Sequence, residues 1–221
     1  MQAGSVGEQM IEQQVRAWDV LDERVLAAMR VVPRELFVPE SQRYLAYADA
    51  EVPLPHGQHM LRPSVVGRIL QGLLPRPDEA ALEIGAGTGF LSACLRRMGC
   101  RVRGLEIFPE LAQAARANLA ACGINMVDVI VADAMQRGAL GEPPGTRYDV
   151  IAVSGSLPRY DQRFERLLEV GGRLFVVVGE PPVMEARLVR RLAEDRFESE
   201  SVFETVIDPL VNATAPPAFT F

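Results

Sequence analysis

The sequence contains little of what extracellular, zinc-binding or membrane-spanning proteins need. Among its 221 residues are only three cysteines, an odd number without CxxC spacing: Cys94, Cys100 and Cys122. Such scattered thiols predict neither a disulfide framework nor a zinc site, so we expect buried small apolar side chains. The N-terminus has no basic segment followed by an apolar one, and no apolar run approaches the roughly 18 residues of a membrane span. We therefore expect a cytoplasmic protein with no membrane partner.

Positive charge and histidine are also scarce. The chain carries 23 basic against 29 acidic residues, a net charge of −6, so it lacks the basic surface that binds nucleic acid or anionic lipid. We expect no nucleic-acid partner. Both histidines, His56 and His59, lie in one proline-bounded stretch without a nearby cysteine. Two imidazoles are fewer than the three or four ligands that zinc requires, and we predict no metal.

One domain over residues 1–221 accounts for the pattern of apolar residues. We predict a helical and loop cap at residues 1–75, an α/β core at 78–207 and a tail at 208–221. Helical spacing in the cap stops at Pro33, and five prolines then mark a long loop up to position 63. A loop of this length in a compact domain is usually functional or disordered.

Strand and helix patterns alternate in the core. This order predicts an α/β fold with a doubly wound, mostly parallel, Rossmann-like sheet and helices on both faces. An N-terminal helical segment, broken near position 20, precedes the sheet, and an antiparallel C-terminal pair closes it. The predicted elements are helical runs at 7–31 and 64–74, then Ala80–Ile84, Phe90–Met98, Val102–Leu105, Pro109–Cys122, Val127–Val131, Tyr148–Val153, Asp161–Leu168, Arg173–Val178, Met184–Leu192 and Phe197–Ile207.

Three glycines at every second position, Gly85, Gly87 and Gly89, join the first core strand to the next helix. Glycine has no Cβ and tolerates positive φ, so a ligand can approach the backbone of this turn closely. In a doubly wound sheet, ligands bind outside the carboxyl ends of the strands. The dinucleotide fingerprint GxGxxG needs glycine at position 90, where the sequence has Phe90. This argues against a nicotinamide dehydrogenase and favours another nucleoside ligand.

Acidic residues at or near the ends of the first three core strands indicate which ligand this is. Glu106 can accept hydrogen bonds from two ribose hydroxyls, and Asp133 can accept one from an adenine amino group. Glu83 beside the glycine turn favours a cationic ligand over a phosphate. Together they point to S-adenosylmethionine, although a tight turn with helix caps explains each one alone equally well. The predicted cofactor contacts are Gln58, Glu83, Ile84, Gly85, Gly87, Thr88, Gly89, Glu106, Ile107, Asp133 and Ala134.

The sequence resembles the protein-L-isoaspartate O-methyltransferases, which repair isomerised aspartyl residues by esterifying their carboxylate. The resemblance covers roughly positions 10 to 180 and includes a stretch particular to the family, VPRELFVP at Val32–Pro39. It implies an O-methyltransferase that uses S-adenosylmethionine, forms S-adenosylhomocysteine and acts on a protein or peptide carboxylate. It also implies that Glu83, the three glycines, Glu106 and Asp133 line the cofactor site. The other matching stretches are Asp22–Met29, Ala46–Asp49, Pro53–Pro55, Leu82–Phe90, Tyr148–Ile151 and Gly171–Leu174.

The loop from Gly57 to Pro63 departs from the family at the residue tied most closely to its reaction. Family members usually have Gly-Gln-Thr-Ile-Ser-Gln-Pro here, with a serine regarded as catalytic. This chain has His59 in place of the threonine and Leu61 in place of the serine. Leucine can neither donate to a substrate carboxylate nor position it. The same scaffold could therefore methylate another, unidentified small acceptor, or bind the cofactor without methyl transfer.

The class of acceptor decides whether a base is needed. A carboxylate is already deprotonated, whereas a hydroxyl or amine acceptor would need a base. His59, His56 and Asp49 are then the candidates, because an imidazole titrates near neutral pH. We therefore predict His59, Leu61 and Asp49 as the catalytic positions. Arg62 could bind an anionic substrate through two hydrogen bonds, although a solvated loop arginine fits the sequence equally well.

The C-terminal residues are unusually apolar for a disordered tail, at Pro209–Val211 and Pro216–Phe221. We expect them to pack on the domain or near the rim of the active site. An interface with a second subunit is the alternative, but we expect a monomer.

Overall fold

The computed structural model describes residues 6–136 and 145–213 of the chain. Its N-terminal part is helical and is interrupted where the sequence predicts, because Asp19 adopts a left-handed φ of 59°. The next helix begins at Asp22, whose carboxylate accepts a hydrogen bond from the Arg24 backbone N–H (2.9 Å). The helices of the cap are α1 Val6–Met10, extended by irregular turns at Ile11–Val15 and Arg16–Trp18, α2 Glu23–Val31 and α3 Pro63–Leu73.

The proline-rich loop before α3 contains only short elements. Single helical turns lie at Arg34–Leu36, Glu40–Leu45 and Pro55–Gly57. A two-stranded hairpin joins β1, Val52–Pro53, to β2, His59–Met60. The hairpin places the histidine-containing turn at its tip, where it projects from the cap toward the core.

The core is one seven-stranded sheet with the order β5-β4-β3-β6-β7-β8-β9. The first five strands in that order are parallel, and β8 and β9 add antiparallel to β7. The predicted α/β fold class is confirmed, including the antiparallel C-terminal pair. The elements are β3 Ala80–Ile84, α4 Phe90–Arg97, β4 Arg101–Glu106, α5 Pro109–Ala121, β5 Val127–Val131, β6 Tyr148–Leu157, α6 Gln162–Glu165, β7 Leu168–Glu180, β8 Val183–Ala193 and β9 Arg196–Glu204.

Chain order reverses between the two central strands, β3 and β6, because β4 and β5 lie to one side and β7 to the other. A crevice opens at the carboxyl ends of strands at such a switch point. Apolar residues alternate across β3: Ala81 packs with the cap, α3, α4 and α5, whereas Leu82 and Ile84 pack with Phe164 of α6. In the described part of the chain, one short helix and irregular segments cover the second face, so the helical covering of the two faces is unequal.

The predicted helix at 161–168 is wrong over its last residues. Helix α6 ends at Glu165 because the Leu167 carbonyl accepts a hydrogen bond from the Tyr148 N–H (2.8 Å), and Leu168 pairs with Tyr148 in the sheet. Sheet pairing thus takes the backbone groups that a longer helix would use.

No helix in the described part of the chain is both long enough and apolar enough to cross a membrane.

Candidate active site

The glycine turn after β3 has the backbone that its sequence predicts. Gly85, Gly87 and Gly89 adopt φ values of 83°, 54° and 91°, in the region that side chains with a Cβ rarely occupy. The N–H groups of Gly85 and Ala86 both donate to the Leu105 carbonyl, at 2.8 and 2.9 Å. These bonds tie the turn to the end of β4, so its backbone faces the crevice in a fixed position.

An open cavity lies beside this turn. Its walls come from the ends of β3, β4, β5 and β6, from the hairpin loop and from the segment 208–211. In an open α/β sheet this is the crevice where ligands bind. The predicted residues in its wall are Gln58, His59, Leu61, Ile84, Gly85, Gly87, Glu106, Ile107, Asp133 and Ala134.

Glu106 is the buried carboxylate of the cavity, with 4% of its surface exposed. One of its oxygens accepts a hydrogen bond from the Gly87 N–H (2.8 Å), and the other accepts one from the Phe108 N–H (3.0 Å). Each carboxylate oxygen has a further lone pair, so two adjacent hydroxyls can still donate to this side chain. The same residue therefore shapes the glycine turn and offers a bidentate acceptor.

Asp133 lies on the far side of the cavity, two residues after β5. Its Oδ1 accepts a hydrogen bond from the Met135 N–H and its Oδ2 accepts one from Asn212 Nδ2, both at 2.8 Å. The same cavity has apolar wall residues, Ile107, Phe108 and Leu111 among them. An apolar wall with a polar acceptor at its end suits a flat heteroaromatic ring that carries an amino group.

A second cavity adjoins the first on the other side of the glycine turn. Glu83 and Thr88 line it, and Glu83 is 2% exposed. Ser92 and Ser154 donate hydrogen bonds to the two oxygens of the Glu83 carboxyl group, the latter at 3.2 Å. Burial nevertheless raises the pKa of Glu83 to about 8. This buried acid would ionise readily beside a cationic group.

Both histidines fasten the hairpin loop over the cavity. The His56 ring stacks on the Phe108 ring, with centroids 4.1 Å apart and planes within 4°, and its Nε2 lies 3.3 Å from Glu110 Oε2. His59 Nδ1 lies 2.9 Å from Asp208 Oδ2. One imidazole thus holds the loop to the start of α5, and the other holds it to the C-terminal segment.

Arg34 supports the same loop from below. Its guanidinium is buried and donates to the carbonyl oxygens of Ala46 (3.0 Å) and Leu61 (2.7 Å), while its Cζ lies 4.7 Å from the centroid of the Phe90 ring. Burial lowers the pKa of Arg34 to about 10. A buried cation of this kind fixes the backbone of the loop on both sides of the hairpin.

Comparison with known proteins gives the family. The family model for protein-L-isoaspartate(D-aspartate) O-methyltransferase (PCMT) matches residues 5–215. The chain belongs to this family. It is 40% identical over 206 residues to protein-L-isoaspartate O-methyltransferase 1 of Rhodopseudomonas palustris strain HaA2, covering 92% of this chain and 82% of the relative. A protein-L-isoaspartate O-methyltransferase of Methanoculleus marisnigri is 38% identical, with 92% and 90% covered.

Solved structures agree on the fold of the family. A structure assigned to it from Plasmodium falciparum, in complex with S-adenosyl-L-homocysteine, has a TM-score of 0.79 at 19% identity and covers 92% of this chain and 97% of the other. A second protein-L-isoaspartate O-methyltransferase also has a TM-score of 0.79, at 22% identity, and covers 94% of this chain and 67% of the other. The methyltransferase class predicted from the sequence is thereby confirmed through the family.

Four residues singled out from the sequence line neither cavity of this methyltransferase: His56, Asp49, Gly89 and Arg62. Asp49 accepts a hydrogen bond from the Ser64 N–H (3.1 Å) at the start of α3, so the structure gives it a capping contact. Gly89 packs against α5, where an added Cβ would lie 3.2 Å from the Ala115 Cβ. Arg62 turns away, with its Nη2 3.5 Å from Thr205 Oγ1. The catalytic role of Asp49 and the cofactor contact of Gly89 stay predictions.

The polar wall residues that the sequence analysis missed are Glu51, Asp208 and Ser154. Glu51 and Asp208 add carboxylates near His59, and Ser154 lies in β6. Leu210, from the predicted apolar stretch, packs near Gly85. Only the apolar Pro209–Val211 stretch gave a signal, and its predicted packing near the rim is confirmed. The second predicted apolar stretch, Pro216–Phe221, lies outside the described residues.

We expect Gly155→Ala to displace the segment 208–211. A Cβ at Gly155 would lie 2.9 Å from Leu210 Cδ2 and 3.1 Å from the Leu210 backbone N. Such overpacking should lower the free energy of unfolding by about 1–3 kcal/mol, as measured by urea denaturation. Gly72→Ala is the matched control, because its Cβ would meet Leu188 at 3.8 Å, an ordinary contact. Equal stability of the two variants would contradict the packing of this segment.

Proposed function

We propose that the protein transfers the methyl group of S-adenosylmethionine to the carboxylate of isomerised aspartyl residues in proteins or peptides. The observation that carries this proposal is the pair of joined cavities around the glycine turn. One cavity is lined by Glu106 and Asp133, which we assign to a ribose and an adenine, and the other is lined by Glu83, which we assign to an α-ammonium group. Family membership supplies the acceptor class.

The residues present fit this cofactor. Glu106 keeps acceptor capacity for both ribose hydroxyls after its two backbone hydrogen bonds. Asp133, fixed by the Met135 N–H, can accept from the adenine amino group. Glu83 would balance the positive charge of the methionine part, and the glycine turn has no side chain to obstruct the backbone. When bound, S-adenosylmethionine would supply a methyl group activated by a sulfonium.

Placement is the main contribution of this chain to the reaction. Leu54, Leu61, Gly85 and Gly87 line both cavities, so they surround the position where the two parts of the cofactor meet. The apolar side chains of Leu54 and Leu61 would limit the access of water to that position. A carboxylate acceptor carries its own nucleophilic electron pair, so these residues need to hold it in line with the methyl group and need not remove a proton.

One observation favours a second acceptor class on the same scaffold. Among the described residues that line the two cavities, the charged side chains are carboxylates, and His59 is the one that can carry positive charge. Glu51 and Asp208 lie near the acceptor side and would repel an anion unless His59 is protonated. A neutral or cationic acceptor would avoid this cost.

The test is methyl incorporation from labelled S-adenosylmethionine into an isoaspartyl peptide and its aspartyl twin. We expect base-labile label on the isoaspartyl peptide alone. Absence of label despite bound cofactor would overturn the proposed acceptor and favour either the second class or a binding protein without methyl transfer.

Leu61→Ser is expected to raise kcat/KM for the isoaspartyl peptide by roughly 3- to 10-fold, because the new hydroxyl can donate to the acceptor carboxylate. Leu54→Ser makes the same change in the same wall and should bring no gain. A similar rise in both variants would show that polarity of the wall, and not the position of residue 61, limits the reaction.

The monomeric state and the cytoplasmic location expected from the sequence stay predictions. We propose a monomer that meets its protein substrates in the cytoplasm; size-exclusion chromatography with light scattering would test the first part.

A further inference from the structure

His59 occupies a special position between the two cavities. Six residues line both: Leu54, His59, Leu61, Gly85, Gly87 and Ser154. Of these, Ser154 and His59 have polar side chains, and the Ser154 hydroxyl already donates to Glu83 at 3.2 Å. His59 is therefore the residue of this shared wall whose side chain has a ring nitrogen to offer an acceptor.

Asp208 fixes the orientation of that ring. Its Oδ2 lies 2.9 Å from His59 Nδ1, although the two residues are 149 positions apart. The backbone of Asp208 is anchored in turn, because its carbonyl accepts from the Ser156 N–H (2.8 Å) and the Leu210 N–H donates to the Ser156 carbonyl (2.9 Å). A carboxylate on Nδ1 keeps a proton on that nitrogen and leaves Nε2 for other partners.

Carboxylates lie around His59. Asp208 contacts it directly, and Glu51 of the hairpin loop interacts with it electrostatically. Arg62 is the positive charge that acts on Glu51. With the acceptor carboxylate on Nε2, the ring would lie between two carboxylates, an arrangement in which both ring N–H groups donate.

We infer that His59, positioned by Asp208, binds the acceptor carboxylate beside the methyl group and so performs the task that Leu61 cannot. This inference rests on the proposed function. In the step itself, an acceptor oxygen forms a bond to the methyl carbon while the carbon–sulfur bond breaks, and the electron pair of that bond stays on sulfur. No proton moves. The imidazolium keeps its Nε2 proton and donates it as a hydrogen bond to the carboxylate oxygen that is not methylated.

Because the chain has only two histidines, NMR can follow each ring separately. We would titrate the imidazole resonances of the S-adenosylhomocysteine complex with and without the isoaspartyl peptide, and assign them with His56→Gln and His59→Gln. Peptide binding should move the titration midpoint of His59 upward by about one pH unit, since the carboxylate favours the charged ring. The midpoint of His56 should stay unchanged. A bound peptide that leaves His59 unshifted would overturn the inference.

Kinetics separate a positioning role of Asp208 from a structural one. For the natural enzyme, kcat/KM should fall as the imidazole loses its proton at higher pH; we call this fall the pH limb. His59→Gln should lower kcat/KM by roughly 10- to 100-fold and abolish the pH limb. Asp208→Asn keeps an acceptor for Nδ1–H but removes the charge, so the fall of kcat/KM should move to lower pH. A limb that rises with pH would identify His59 as a base and overturn its role as a donor.

His56→Gln is the matched control in the same loop. It removes the stack on Phe108, so it should weaken adenosylhomocysteine binding and leave the pH limb in place. His59→Gln should instead leave adenosylhomocysteine binding unchanged and abolish the pH limb. If the isoaspartyl peptide does not bind at all, the proposed function fails and the acceptor contact with it. The Asp208–His59 pair is then judged by its own titration: a His59 midpoint that Asp208→Asn leaves unchanged rejects the pair.

Discussion

Glu106→Gln is expected to weaken adenosylhomocysteine binding by at least about 100-fold. The carboxylate accepts from the Gly87 and Phe108 N–H groups and keeps lone pairs for two ribose hydroxyls. Glutamine places an NH₂ group against one of these backbone donors, so the turn must shift, and one ribose hydroxyl loses a charged acceptor. Two charge-assisted hydrogen bonds at roughly 1.5–3 kcal/mol each account for a loss of this size.

Isothermal calorimetry with adenosylhomocysteine measures this effect. Glu169→Gln is the matched control, because Glu169 is exposed on β7 and should bind as the natural protein does. Thermal unfolding of both variants without ligand shows whether Glu106→Gln still folds. A folded Glu106→Gln protein with nearly natural affinity would mean that Glu106 does not hold the ribose.

Cofactor binding at neutral pH is expected to release about one proton from Glu83. Burial raises the pKa of this carboxyl group to about 8, so it is mostly protonated in the free protein at pH 7. An α-ammonium group beside it would favour the ionised form and lower that pKa in the complex. The affinity for adenosylhomocysteine should therefore increase as the pH rises toward 8, by up to about tenfold per pH unit, and then level off.

Calorimetry in buffers of different ionisation enthalpy counts the released protons. Glu83→Gln preserves the shape of the side chain but cannot ionise, so it should bind without proton release and with a flatter pH dependence. Binding by the natural protein without proton release would place the cationic group away from Glu83.

The raised pKa of Glu83 also determines how the stability of the ligand-free protein changes with pH. Its pKa in the folded state, about 8, lies above its ordinary value of 4.5, so the folded protein binds more protons than the unfolded chain between these values. Stability from this group is present below about pH 4.5 and is lost as the pH rises to 8, by on the order of a few kcal/mol. Urea denaturation of the natural protein and Glu83→Gln across this range measures the difference.

The parts of the site that the sequence predicts are those set by local rules. The glycine turn, Glu106 and Asp133 follow from where strands end, because parallel strands place their carboxyl ends along one edge of a sheet. The backbone of the turn and the two carboxylates line one cavity, as expected. The alternation of strand and helix patterns along the chain is likewise enough to give the fold class.

The parts that the sequence does not predict depend on distant chain segments. Asp208 reaches His59 from 149 positions away because residues 208–210 return along the end of β6. No periodicity or motif encodes that return. Asp49 shows the opposite case: a carboxylate within a family motif was a candidate base, yet its hydrogen bond to the Ser64 N–H is a local feature of the helix start.

The pair His56 and His59 also shows why spacing alone is a weak guide. The two histidines are three positions apart and have no cysteine nearby in the sequence. From spacing alone, they could be ordinary loop, catalytic or metal-binding side chains. Their partners differ: Phe108 and Glu110 for His56, and Asp208 for His59. Only the second faces the position where the cavities meet, so the two rings belong to different parts of the function.

A crystal structure of the protein with adenosylhomocysteine and an isoaspartyl peptide tests the central claim most directly. The measurement is the distance from the thioether sulfur to the nearest oxygen of the peptide carboxylate. We predict about 5 Å beside Leu61 and His59, since a methyl group in between would then lie roughly 3–3.5 Å from its acceptor. The ribose hydroxyls should lie on Glu106. A sulfur that lies elsewhere, or a carboxylate held far from it, would contradict methyl transfer to isoaspartyl residues at this site.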